Sequence, residues 1–69
     1  MNLEDMLREI HIKLKKACFT DVVENSGVSA YSVNFWRNGP PGKPSLLVFC
    51  RLARYFGFNP TIDQLESLL

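Results

Sequence analysis

Phe19-Thr-Asp-Val-Val-Glu-Asn-Ser-Gly-Val-Ser-Ala-Tyr-Ser-Val-Asn-Phe-Trp-Arg-Asn38 holds two short, apolar-patterned segments separated by one interior glycine. Val22 and Val23 share a face of the first, and Val33 and Trp36 stand three apart on the second. Read as helices, both segments have a stripe to bury against a common core. Gly27 falls between them. A glycine takes positive φ without steric cost, so the spacing predicts that Gly27 ends the first helix, that Val28 plugs the corner and that Ser29 caps the second. The second helix, from about Ala30 to Arg37, leaves Ala30, Tyr31, Ser32, Asn34, Arg37 and Asn38 outside. These small, hydroxyl, amide and cationic groups match the edge of a nucleic acid groove.

Upstream, Asn2 is a capping residue followed by an acidic first turn, and Leu3, Met6, Leu7, Ile10, Leu14 and Ala17 recur at helical spacing as far as about Cys18. Ile12 falls off that stripe. His11, the one histidine, lies beside a mostly charged face and is expected in solvent; no second histidine or cysteine pair has metal-ligand spacing. Lys13, Lys15 and Lys16 gather at the end of this helix, where they either complement its dipole or form the edge of a basic side. Residues 19–20 connect to the next helix, expected from Thr20 or Asp21 to Ser26, with Asp21 and Glu24 toward its favourable N-terminal side.

Downstream, Asn38-Gly39-Pro40-Pro41-Gly42-Lys43-Pro44 consists almost wholly of breakers and reads as a constrained loop. Ser45 then caps a helix that is apolar over a wide arc through Leu46, Phe49, Cys50, Leu52, Ala53 and Phe56, the expected central helix of the core. Gly57 ends it and Phe58 returns to the core. Thr61 and Gln64 form a capping-box pair for a last helix carrying Ile62, Leu65, Leu68 and Leu69. The tail over 59–69 offers either a dimer contact or closure of the core. The expectation is one all-α domain of five helices spanning 1–69.

Composition agrees with a single small core: 69 residues, 46% hydrophobic, with two cysteines. No segment is apolar and long enough to suggest a signal peptide or a membrane span, so Cys18 and Cys50 are expected reduced and the location cytoplasmic. Catalysis finds no support. Ser26, Ser29, Ser32 and Ser45 have turn or capping explanations, and the prolines at 40 and 41 lack the N–H donors that a phosphate cradle needs. A net charge of +1 is small for a protein that approaches a polyanion, so the distribution of charge has to carry that role.

Residues 19–38 resemble the helix-turn-helix of the lambda-repressor-like family, the Cro/repressor type. The resemblance continues through Lys43-Pro44-Ser45-Leu46-Leu47 and Arg51-Leu52-Ala53-Arg54-Tyr55-Phe56-Gly57-Phe58, and so covers about 19–58. Phe19 and Ala30 stand where many members carry glutamine, and the paired amide contact of that family is not carried over. What the resemblance implies is a five-helix DNA-binding domain of a transcriptional regulator, a phage- or bacterial-type repressor without a cofactor. It turns Trp36 inward and leaves Phe35 partly outward, either to meet thymine methyls or a sugar or to pack under the following loop.

On that reading Ala30, Tyr31, Ser32 and Asn34 read bases from the major groove, and Arg37, Asn38, Lys43 and Lys16 hold phosphates. The partner is double-stranded DNA bound by a homodimer on half-sites roughly 34 Å apart. The alternative is a protein-interaction helix-turn-helix, antirepressor or antitoxin-like, with Tyr31, Phe35 and Ile12 as its patch. In the DNA reading Asn34→Ala costs about 1–3 kcal/mol at one base position, whereas Lys43→Ala weakens all sequences alike and flattens the salt dependence. Binding titrations on matched and scrambled duplexes at low and high salt check this, and equal losses for both variants on every sequence would refute the division.

Overall fold

Gly27 has φ +79° and ψ +10°, the left-handed conformation that the spacing calls for. Around it, Ser26 Oγ accepts the Val28 N–H at 3.1 Å, Val28 is buried, and Ser29 Oγ accepts the Ser32 N–H at 3.2 Å. This computed structural model describes residues 2–39 and 45–69. In it the turn joins α2 (Phe19–Ser26) to α3 (Ala30–Asn38), with α1 (Leu3–Lys16) before them and α4 (Leu46–Tyr55) and α5 (Ile62–Glu66) after. Among the described residues there is no strand. The chain is all-α.

Each helix contributes its stripe to one core. Met6, Ile10 and Leu14 come from α1, Val22 from α2, Val33 and Trp36 from α3, and Phe49, Leu52 and Ala53 from α4, with Val28 and Leu68 closing two corners. Phe49, Leu52 and Ala53 have no exposed surface, which makes α4 the central helix expected from its wide apolar arc. α2 packs against α4 and α1 against α3, so α3 is supported from behind by α1 and held beside α2 by the turn.

Several boundaries differ from the sequence-based expectation. α1 stops at Lys16, short of Cys18, because Ala17 is already extended (φ −79°, ψ 157°) while its N–H still bonds to Lys13 O at 2.9 Å. The extended pair Ala17–Cys18 turns the chain, and α2 begins at Phe19 rather than a residue or two later. The cause is tertiary: the Phe19 ring packs against the core and lies under the Arg37 guanidinium, 5.9 Å from its centroid. α3 continues one residue further, to Asn38. Ser45 holds the N-cap position of α4 but makes no side-chain capping bond. His11 is half-buried instead of solvated, with Nδ1 closed off from solvent and without a hydrogen-bond partner among the described residues. Its place one turn from Leu7 and Leu14 draws the ring toward the apolar stripe.

The C-terminal third follows its local signals closely. Gly57 has φ +86°, Phe58 N–H bonds to Ala53 O at 2.8 Å and Gly57 N–H to Arg54 O at 3.2 Å, the paired bonds of a Schellman motif. Phe58 is thereby returned to the core. Thr61 Oγ1 accepts the Gln64 N–H at 3.2 Å and Gln64 Oε1 accepts the Thr61 N–H at 3.0 Å, completing the capping box. The tail divides its apolar residues: Leu65 and Leu68 pack on the core, while Ile62 and Leu69 are exposed. The loop residues 40–44, Lys43 included, lie outside the described residues.

Two substitutions test this account. A Cβ at Gly27 meets only Arg51 side-chain atoms, from 3.6 Å, so Gly27→Ala is opposed by backbone conformation rather than space. It is expected to cost about 1–2 kcal/mol, and Phe49→Ala about 3–5 kcal/mol, both read from urea unfolding. Gly27→Ala with the parent's midpoint would show that the turn does not require left-handed backbone.

Candidate functional site

α3 is rolled by its two core residues. With Val33 fully buried and Trp36 3% exposed, the opposite side of the helix carries Tyr31, Asn34, Phe35 and Asn38, at the i, i+3, i+4, i+7 spacing of a continuous ridge. All four are exposed, Tyr31 at 78% and Phe35 at 50%. The rings of Tyr31 and Phe35 stack with centroids 6.3 Å apart and planes 29° apart. Asn34 and Asn38 form a parallel row of amides beside them. Together with Gly39 these four side chains line an open groove of about 290 Å³.

Not every residue expected on this face joins it. Ala30 is exposed at the start of the helix, where its small side chain permits close approach. Ser32 lies four residues before Trp36 and Arg37 four after Val33, so both stand one turn from a core position and are half-buried. Ser29 Oγ donates to Ser32 Oγ at 3.1 Å, which ties the Ser32 hydroxyl into the helix cap. Arg37 Nη2 donates to Lys15 O at 3.5 Å, bringing the exposed Lys15 and Lys16 at the end of α1 alongside the end of α3. Phe35 stands on the ridge with half of its surface exposed, and the loop it was expected either to pack under or to leave for a base contact, residues 40–44, lies outside the described residues.

The charge distribution is sharper than the net value of +1 suggests. The seven acidic residues lie at 4–24 and at 63–66, and residues 25–62 contain none, while Arg37, Lys43, Arg51 and Arg54 fall within that stretch. The helix that presents the ridge and the helix that follows it are therefore free of carboxylates.

A further group of contacts holds α2 in place and was not anticipated. Arg51 Nη1 donates to Gly27 O at 2.6 Å, and Tyr55 OH donates to Asp21 Oδ2; the other Asp21 oxygen accepts from Asn25 Nδ2 at 2.9 Å. Arg51 and Tyr55 are four apart on α4, so one face of that helix grips α2 near both ends. Their spacing is visible in the sequence, but the partners are 24 and 34 residues away. The hydrogen bond to Asp21, then partial burial and the charge of that carboxylate, hold the Tyr55 phenol above its ordinary pKa.

Cys18 and Cys50 are free thiols. Among the described residues no three His, Cys, Asp or Glu side chains are grouped to hold a metal, and no helix is long and apolar enough to cross a membrane. No protein-family model matches the chain, and no curated protein or solved structure matches it either.

A raised phenol pKa in the folded state stabilises that state fully below the ordinary tyrosine value of about 10, and the contribution disappears as pH rises through the raised value. The parent protein is therefore expected to lose stability across that alkaline window, and Tyr55→Phe to lose less of it. Urea midpoints below and above the window compare the two, and parallel losses would mean that the Tyr55–Asp21 bond is not formed in solution.

Proposed function

We propose that this chain is a sequence-specific duplex DNA-binding regulator of transcription, a lambda-repressor-like domain of the phage or bacterial repressor type. In it α3 is the recognition helix. The observation that carries the proposal is the outward ridge of Tyr31, Asn34, Phe35 and Asn38 on a short helix whose opposite face is sealed into the core at Val33 and Trp36. A helix exposed in this way fits the major groove, which is wide enough to admit it, and asparagine amides can pair with adenine N6 and N7.

The carboxylate-free stretch over 25–62 supports the same reading, because no fixed negative charge on α3 or α4 opposes a phosphate backbone. Lys15 and Lys16 lie at the end of α1 near the end of α3, which supports assigning Lys16 a phosphate contact beside the groove. Arg37 acts mainly through that junction: its guanidinium lies over Phe19 and reaches Lys15 O, fixing the basic end of α1 relative to the ridge. The function needs no cofactor and no catalytic step. A two-fold dimer would double the small set of contacts that one domain offers, on half-sites about 34 Å apart.

A second reading rests on the exposed Tyr31–Phe35 stack, which also suits a partner protein's apolar surface. Salt separates the two. The DNA reading predicts that retention on nonspecific duplex falls linearly as log K against log salt, and that Lys16→Ala reduces the slope by about one. Fluorescence anisotropy across a salt series measures both, and salt-independent or absent duplex binding would leave the protein-interaction reading standing alone.

A further inference from the structure

The ridge on α3 consists of two rows of different chemistry. Tyr31 and Phe35 form an aromatic row one helical turn long, and Asn34 and Asn38 form an amide row beside it, both lining the same groove. Residues four apart on a helix are separated by about 6 Å along its axis, against about 3.4 Å between successive base pairs. A row therefore spans roughly two base-pair steps. The amide row offers a donor and an acceptor at each position, whereas the Phe35 ring offers neither.

That asymmetry discriminates between base pairs. In the major groove adenine presents an N6–H donor and an N7 acceptor, which one asparagine amide satisfies together, and its partner thymine presents a methyl group. A cytosine at the same place presents an N4–H donor instead. Set against Phe35, that donor loses water and gains no acceptor, an arrangement that costs free energy. An A·T pair is the one whose two edges match an amide beside an aromatic ring.

We infer that the α3 ridge selects two A·T pairs about two steps apart, Asn34 and Asn38 taking the adenine edges while the Phe35 ring covers a thymine 5-methyl group. This rests on the DNA-binding reading above and adds the base identity and the group recognised. Specificity then comes from a buried methyl group and paired amides, and the modest charge of the chain is consistent with that division.

The test starts from duplexes enriched by the full chain out of a random thymine-containing pool. The tightest of them is resynthesised with uracil in place of each thymine in turn, which removes only the methyl group. The expected result is a shared pair of A·T positions about two steps apart among the enriched duplexes and a loss of about fourfold in affinity when the methyl that Phe35 covers is removed, the worth of burying one methyl-sized group. Phe35→Ala should bind the thymine and uracil forms equally, and its far-ultraviolet circular dichroism should match the parent because Phe35 is exposed. Enriched duplexes that lack common A·T pairs at that spacing, or that bind equally well as uracil forms, overturn the inference while leaving DNA binding intact. Failure to enrich any duplex overturns both.

Discussion

Val33 and Trp36 lie three residues apart on α3 and are both sealed into the core. Two buried anchors on one side of a helix fix its rotation about its own axis, since any roll would expose one of them. Everything proposed for α3 follows from that rotation. It turns Tyr31, Asn34, Phe35 and Asn38 to the outside as one ridge, places Ser32 and Arg37 at the margins, and leaves the backbone of the helix supported by α1. A surface presented on a held helix keeps its geometry on approach to a partner, so little ordering remains to be done on binding.

The support for α3 reaches back through the turn to α4. Gly27 ends α2 in the left-handed region, and its carbonyl accepts from Arg51, while Tyr55 takes hold of Asp21 in the first turn of the same helix. α4 is itself the most deeply buried element through Phe49, Leu52 and Ala53. The helix pair α2–α3 is thus tied to the core by apolar packing and to α4 by polar contacts at the two ends of α2. A domain of 69 residues has little core to spare; most apolar helix positions are at least partly covered, while Ile12, Ala30, Tyr31, Phe35, Leu47 and Ile62 stay exposed.

The electrostatic design is one of placement. Acidic residues are confined to α1, α2 and the tail, so the ridge helix itself carries no carboxylate, and the lysines at the end of α1 lie near its end. The aromatic pair gives that face an apolar component which a purely phosphate-binding surface would not need. Under the proposed DNA-binding reading, it is these amides and rings in parallel rows, more than the number of cations, that would meet base edges.

Local chemistry made much of the architecture legible in advance. The Asn2 cap, the Gly27 turn with its Val28 plug, the Ser29 cap, the breaker at Gly57 and the Thr61–Gln64 capping box all depend on residues within a few positions of each other, and they form where their residues stand. The apolar periods likewise named the stripes of α1, α3 and α4, and the inward Trp36 with the outward Phe35 followed from their adjacency once one of them was placed. The chain could not announce where α1 would stop or α2 start, that His11 would be drawn under cover, that Arg37 would lie over Phe19, or that α4 would grip Asp21 and Gly27. Those outcomes require residues far apart in sequence to meet. Local rules act through a few bonds and one helical turn, whereas the rotation of α3 and the composition of its outer ridge are decided only when five helices compete for the same small interior.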